Sequence, residues 1–152
     1  MSHIRSATVT DIPQLCELLS ILFTQEADFQ PDAAKQSAAL SMILAQPERG
    51  GILVAERDGR VLGMVNLLFT VSTACGGKVG LLEDMVVHPE ARGEGLGSRL
   101  LQAAIESAGR AGCLRVTLLT DRANHAAVRF YQRAGFDLSS MIPLRLMLGR
   151  TG

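Results

Sequence analysis

Several residue types are scarce in this sequence, and their scarcity excludes whole classes of protein. The 152 residues include no tryptophan, one tyrosine (Tyr131) and three cysteines (Cys16, Cys75 and Cys113). An odd, widely spaced set of cysteines provides neither a disulfide framework nor a Cys-x-x-Cys metal site. No two of the three histidines have metal-ligand spacing. We therefore expect no metal centre and a reducing, cytoplasmic location.

The sequence also lacks an excess of charge and any long apolar run. Fifteen basic residues balance 15 acidic ones, and only Lys35 and Lys78 among the basic residues are lysines. This balance does not favour nucleic acid as a partner. The longest fully apolar runs have four or five residues, far fewer than a membrane-spanning helix needs. The N-terminal segment MSHIRSATVTD has no apolar core of a secretory signal. We therefore expect neither a membrane nor a nucleic-acid partner.

The pattern of apolar and turn-forming residues predicts one domain over residues 1–152. A chain of this length with 47% apolar residues can bury a core without disulfides or metals. Periodicity and turn signals predict strands at 4–8, 52–57, 60–71, 79–88 and 114–120, helices from about 10, at 32–46, from 92–97 to about 110 and at 124–134, and two weaker strands at 136–138 and 143–148.

The order of these elements indicates the fold class. The pair Asp58-Gly59 is a strong two-residue hairpin signal between two apolar segments. The strands at 79–88 and 114–120 flank a helix, so a right-handed crossover makes them parallel. We expect an α+β fold, a three-layer α/β/α sandwich whose mixed, mostly antiparallel sheet has one parallel β-α-β unit.

The segment LEDMVVHPEARGEGLGSRLL is the most informative part of the chain. A buried strand leads into a glycine-rich turn that begins a helix, an arrangement suited to a phosphate or pyrophosphate. The glycines are spaced GxGxG rather than GxGxxG, and the Gly-Lys-Ser/Thr of a Walker A loop is absent. The segment does fit RxxGxG, at Arg92, Gly95 and Gly97. The alternatives are a turn whose glycines serve only packing and a site for another phosphate ligand such as a nucleotide.

Two motifs together resemble those of the GCN5-related N-acetyltransferases. One is RxxGxG after the strand end VVHP, and the other is Asn124 followed by AAVRFY and Gly135-Phe136. The resemblance covers nearly the whole chain. It implies the fold of that family and an acetyl-CoA-dependent N-acetyltransferase, with acetyl-CoA as cosubstrate. The acetyl group would pass directly to a primary amine of a small molecule or peptide. The alternative is a non-catalytic CoA-binding sensor or scaffold on the same fold.

The resemblance also implies how CoA is bound. The backbone N–H groups of the glycine loop would bind its pyrophosphate, and its pantetheine arm would lie beside the long strand as an added strand. The implied cofactor-binding residues are Met85, Val86, Val87, Arg92, Gly93, Glu94, Gly95, Leu96, Gly97, Ser98 and Asn124.

The candidate catalytic residues are Tyr131, which the resemblance implies, and Glu83, chosen for its carboxylate on the long strand before the cofactor contacts. Tyr131 matches the family's general acid, and a phenol with a pKa near ~10 can protonate a departing thiolate whose thiol has a pKa near ~8.5. The alternative for Tyr131 is a core aromatic residue. Glu83 would take a proton from the acceptor amine, directly or through water, with Asp84 as its neighbour. Either carboxylate could instead be structural. Strand alternation places Glu83 on one face with Met85 and Val87, unless a bulge shifts the alternation.

Candidate acceptor-binding residues are Glu26, Phe29 and Asp84. The loop TQEADFQPD between the first two helices lines the acceptor site in the family, and acidic residues beside an aromatic ring suit a cationic amine. The alternative is a solvated polar loop. The apolar tail PLRLML at 143–148 would permit a homodimer through the late strands, as the family often forms.

Overall fold

A computed structural model describes residues 2–25 and 30–149. These residues form two compact units divided between Leu119 and Thr120. The second unit contains one helix, α4 (His125–Arg133). The elements of the first unit are strands β1 (His3–Ser6), β2 (Gly50–Arg57), β3 (Arg60–Ser72), β4 (Gly77–Val87) and β5 (Val116–Leu118), and helices α1 (Ile12–Gln25), α2 (Ala33–Ala45) and α3 (Leu96–Arg110). The prediction of a single domain over residues 1–152 stays a prediction.

The five strands form one sheet in chain order. Strands β1 to β4 are antiparallel neighbours, and β5 lies parallel to β4 with α3 as the crossover between them. The two-residue turn Asp58-Gly59 joins β2 to β3, and both of its residues have positive φ, as the tight hairpin turn requires. The α+β class, with a mixed sheet and one parallel β-α-β unit, is therefore confirmed.

Apolar side chains on the two faces of the sheet place helices on both sides. On one face the cross-strand residues Val54, Met64 and Val86 pack with leucines of α1 and α2 in the main core. On the opposite face Gly63 lies against Leu100 of α3. The amphipathic pattern of α3 buries the five residues Leu96, Leu100, Leu101, Ala104 and Ala108. These three layers match the predicted sandwich.

The start of β2 has no room for a side chain. Gly50 has φ +148°, and a Cβ there would overlap the carbonyl oxygen of Leu67 and lie 2.9 Å from the Cα of Leu68. Its neighbour Gly51 would place a Cβ in open space. We expect Gly50→Ala to lower the free energy of unfolding by about 2–3 kcal/mol, because backbone atoms must move. Gly51→Ala is the matched control and should cost less than about 1 kcal/mol.

Urea unfolding followed by circular dichroism would compare the two variants with the unsubstituted protein. Equal midpoints for Gly50→Ala and Gly51→Ala would contradict the expectation that the backbone contact at Gly50 is the cause.

The structure differs from the sequence prediction near the C-terminus. Strand β5 covers Val116–Leu118 rather than 114–120. The predicted strands at 136–138 and 143–148 are wrong, since residues 136–149 contain no strand. A strand requires a partner for its backbone hydrogen bonds, and an alternating apolar pattern does not supply one. Seven large apolar residues of this segment are 68–90% exposed: Leu138, Met141, Ile142, Leu144, Leu146, Met147 and Leu148.

Candidate active site

A β-bulge interrupts β4 at the two acidic residues. Asn66 of β3 lies opposite Glu83, but Met64 lies opposite Val86, so β4 has one extra residue between these pairs. Asp84 takes up the irregularity with φ +53°, in the left-handed region that an aspartate tolerates better than most residues. The bulge places Glu83 on the same face as Val86. Regular alternation would have placed Glu83 on one face with Met85 and Val87, and the bulge, which the sequence left open as the alternative, shifts that alternation.

The side chain of Asn66 holds the bulge from the neighbouring strand. Its Nδ2 donates a hydrogen bond to Oδ2 of Asp84 at 2.7 Å, and Asn66 is only 3% exposed. Within the described residues, its Oδ1 is a buried acceptor without a hydrogen-bond partner. Asp84 is thus tied to β3 by a short hydrogen bond. Sequence reasoning missed Asn66, although one amide inside the apolar segment RVLGMVNLLFTV was a usable signal.

Beyond the bulge, β4 and β5 are no longer paired. Strand β5 pairs only with Gly80, Leu81 and Leu82. Within the described part of the first unit, residues 83–87 therefore pair on one side only, with β3. One edge of β4 is left with backbone groups that an extended ligand could pair with. Met85, Val86 and Val87, the residues predicted to contact pantetheine, lie on this stretch.

The loop between β4 and α3 has a backbone conformation that favours glycine at two positions. Gly93 and Gly95 have φ of +83° and +75°, and a Cβ at either position would meet nothing within 4 Å. Gly95 precedes the first residue of α3, Leu96, which is buried and fixes the start of the helix. A role in packing alone, the alternative considered from the sequence, does not account for these two glycines.

The exposed loop leads into a helix N-terminus that can accept an anion. The first backbone N–H groups of α3, at Leu96, Gly97 and Ser98, have no carbonyl partner within the helix, and the helix dipole adds partial positive charge there. Arg92 precedes them, and its Nε donates to the carbonyl oxygen of Val87 at 3.3 Å. The loop has the chemistry of a phosphate site.

The loop also contains one carboxylate, Glu94. Its Oε1 lies 2.7 Å from Nη1 of Arg57, the last residue of β2. A second ion pair joins the same hairpin to the same segment, between Arg60 and Glu90 at 3.3 Å. Sequence reasoning missed both pairs, because 37 and 30 positions separate the partners.

In the second unit, Asn124 and Tyr131 lie at the start and near the end of α4. The Oδ1 of Asn124 accepts a hydrogen bond from the backbone N–H of Ala127 at 3.1 Å, so its carbonyl caps the helix. Tyr131 is half-buried and makes edge-to-face contacts with Phe130 and Phe136 at ring-centroid distances of 5.1 and 5.9 Å. Burial raises the pKa of the Tyr131 phenol. The hydroxyl therefore remains protonated at neutral pH, as a general acid must.

Of the three predicted acceptor residues, the structure describes Asp84 alone. Glu26 and Phe29 lie outside the described residues, so their predicted role stays a prediction. At the end of that loop, Asp32 caps α2, with its Oδ1 accepting from the backbone N–H of Lys35 at 3.2 Å.

In residues 2–25 and 30–149, no cluster of three or more His, Cys, Asp or Glu side chains could hold a metal ion. No helix in the same ranges is both long and apolar enough to cross a bilayer.

The profile of the acetyltransferase (GNAT) family matches residues 12–136 of this chain. The chain belongs to this acetyltransferase family. The resemblance found in the sequence is thereby confirmed, and the match includes β4, the glycine loop and α4.

Relatives of this GNAT protein carry acetyltransferase names. It is 32% identical to the uncharacterized N-acetyltransferase YhfO of Bacillus subtilis over 89% of each chain. It is 31% identical to the aminoalkylphosphonate N-acetyltransferase of Salmonella typhimurium over 90% of this chain and 86% of that protein. A solved acetyltransferase from Trypanosoma brucei superposes with a TM-score of 0.76 at 26% identity, covering 97% of this chain and 100% of the other.

These comparisons support acetyltransfer but do not test individual residues. The roles predicted for the site residues of this GNAT protein stay predictions. The expectations about its partners, including a homodimer, also stay predictions.

Proposed function

We propose that this GNAT protein is an acetyl-CoA-dependent N-acetyltransferase that transfers acetyl directly to a primary amine of a small molecule or peptide. The observation that carries the proposal is the end of β4, where the unpaired edge at Met85, Val86 and Val87 runs into the loop of left-handed glycines. An extended pantetheine arm could pair with the free strand edge, and the pyrophosphate that follows it in CoA could bind at the adjoining glycine loop.

The donor would be bound mainly by backbone groups. N–H groups from Gly93 to Ser98 would take the pyrophosphate, with Arg92 beside them, and the edge of β4 would pair with the pantetheine arm. Backbone N–H groups near Met85 and Val86 would also polarise the thioester carbonyl as negative charge develops on its oxygen. Asn124 is the proposed further contact to the cofactor, since its side-chain NH₂ is not the group that caps α4.

The transfer itself needs three proton movements. The acceptor arrives as an ammonium ion with a pKa near ~10 and must lose a proton before its nitrogen can attack. Glu83 would take this proton, directly or through water, and Asp84 would help to bind the amine. The C–N bond forms, the C–S bond breaks, and Tyr131 would protonate the departing sulfur; the nitrogen would give up its second proton to the resulting phenolate, which restores the acid.

A small-molecule amine is the acceptor class to test first. One relative is named for aminoalkylphosphonates, which are small amines with an anionic group. Family members that acetylate protein N-termini carry a base late on the strand after the glycine-loop helix. Leu119 stands at the matching position here and has no proton-accepting group. Peptide acceptors belong in the same screen as a second class.

Calorimetric titration of the purified protein with acetyl-CoA tests the donor site directly, with ATP and NAD as controls. We expect a dissociation constant in the micromolar range for acetyl-CoA, on the order of −8 kcal/mol, and no comparable heat with the controls. A screen of primary amines by mass shift would follow, with aminoalkylphosphonates included.

The outcomes separate the proposal from its rivals. Absence of acetyl-CoA binding would overturn it, and preferential binding of ATP or NAD would favour a nucleotide site. Binding of acetyl-CoA with no acetylation of any amine in a broad screen would favour the sensor or scaffold.

A further inference from the structure

The proposed pyrophosphate loop contains a group of the wrong charge for its ligand. Glu94 lies between Gly93 and Gly95, whose conformation forms the turn. An unpaired carboxylate there would repel a pyrophosphate, since two like charges in a partly desolvated site interact more strongly than in bulk water. The charge of Glu94 therefore has to be balanced within the protein.

Arg57 is placed to provide that balance. Its Nη1 lies 2.7 Å from Oε1 of Glu94, and the two side chains are 31% and 44% exposed. Arg57 is the last residue of β2, and the tight Asp58-Gly59 turn follows it. A guanidinium presented from a regular strand end is better located than one on a mobile loop, so it can hold the Glu94 carboxylate in one position.

The Arg60–Glu90 pair provides an internal comparison. Arg57 and Arg60 are register partners across the end of the hairpin, and each contacts a glutamate of the segment that follows β4. Glu90, however, belongs to the 3₁₀ turn Pro89–Ala91, before the glycines. The two pairs share their chemistry and their hairpin, and differ in whether the carboxylate lies among the glycines.

We propose that Arg57 is a positioning residue of the donor site, which neutralises Glu94 and fixes its side chain so that the loop can accept the pyrophosphate. The proposal rests on the proposed function, because it takes the ligand of the loop to be CoA. Arg57 acts through Glu94 and need not touch the donor. The predicted signature is a coupling between the two residues in acetyl-CoA affinity.

The experiment is a double-mutant cycle in acetyl-CoA affinity, measured by calorimetry with the full chain. Arg57→Gln leaves Glu94 unpaired and should weaken binding about five- to tenfold. Glu94→Gln keeps the backbone N–H that would bind the pyrophosphate and removes the repulsive charge, so it should bind acetyl-CoA about two- to threefold tighter. The double variant should recover to within about threefold of Glu94→Gln, because no unpaired carboxylate remains. Arg60→Gln is the matched control and should stay within about twofold.

Two further measurements separate this role from a purely structural one. The unfolding midpoint of Arg57→Gln should be unchanged, since an exposed ion pair adds little stability. Its affinity defect should shrink as salt is raised, because salt screens the repulsion between Glu94 and the pyrophosphate.

The outcomes also separate this inference from the proposed function. If the unsubstituted protein does not bind acetyl-CoA, the proposed function fails. If it binds but Arg57→Gln binds equally well, only the role of Arg57 is overturned. A double variant as weak as Arg57→Gln would also overturn it, since Arg57 would then act independently of Glu94. Equal losses of acetyl-CoA affinity in Arg57→Gln and Arg60→Gln would also overturn the role of Arg57, because the position of its partner glutamate among the glycines would then have no effect.

Discussion

Replacing Tyr131 by phenylalanine should lower kcat about a hundredfold or more and leave acetyl-CoA affinity within about threefold. The ring and its edge-to-face contacts with Phe130 and Phe136 would remain, so only the hydroxyl is lost. Without a proton donor, the sulfur must leave as a free thiolate or take its proton from water. Steady-state kinetics with saturating acetyl-CoA and amine, together with calorimetric binding, would measure the two effects separately.

The pKa of Tyr131 gives this prediction a pH dependence. Burial favours the neutral phenol, so its pKa lies above the ordinary value of about 10. The hydroxyl therefore stays protonated as the pH rises from 7 to 9, and the kcat of the unsubstituted protein should not fall over that range through loss of this acid. Tyr131→Phe should remain slower by about the same factor throughout the range.

Phe136→Leu is the matched control, because it disturbs the packing around Tyr131 but keeps the hydroxyl. We expect a loss of about 1 kcal/mol in stability and a kcat within about threefold. If Phe136→Leu lowers kcat as much as Tyr131→Phe does, packing is the important property and the general-acid role is wrong. The same conclusion follows if Tyr131→Phe retains full activity.

Local signals in the sequence were sufficient for much of the fold. The Asp58-Gly59 turn, the amphipathic period of α3 and the short helix at 124–134 each depend on a few neighbouring residues. The structure has all three near the predicted positions. The glycine loop was recognisable for the same reason, because RxxGxG specifies a backbone conformation within six residues.

Features that depend on distant residues were not predictable in this way. The bulge at Asp84 arises from the pairing of β4 with β3, and its partner Asn66 lies 18 positions away. Regular alternation alone would therefore assign the wrong face to Glu83, and the sequence offered a bulge only as an alternative, without its position. The predicted strands at 136–138 and 143–148 failed for a related reason, since their apolar pattern fitted a strand but no segment among residues 2–25 and 30–149 pairs with them. Long-range ion pairs such as Arg57–Glu94 give no sequence signal beyond charge.

The corrected position of Glu83 sharpens the prediction about the base. Glu83 is half-buried, lies opposite Asn66 and immediately precedes the bulge, at the point where β4 loses its pairing with β5. Glu83→Gln keeps the size of the side chain and removes its ability to accept a proton. We expect kcat/KM for the amine to fall about a hundredfold at pH 7.

The loss of kcat/KM in Glu83→Gln should become smaller as the pH rises. An amine with a pKa near ~10 gains about tenfold in its neutral fraction for each pH unit between 7 and 9, and a variant without the base depends on that fraction. The ratio of the unsubstituted protein to Glu83→Gln should therefore shrink towards pH 9. A ratio that stays constant with pH would contradict a role in deprotonating the amine.

Asp84→Asn distinguishes the two neighbouring carboxylates. Its amide oxygen can still accept the hydrogen bond from Nδ2 of Asn66, so the bulge should remain. If Asp84 binds the acceptor, this variant should raise KM for the amine about tenfold and leave kcat within about threefold. A larger fall in kcat for Asp84→Asn than for Glu83→Gln would transfer the role of base to Asp84. Because Asn66 links the bulge to β3, its buried amide would then be the group that orients the base.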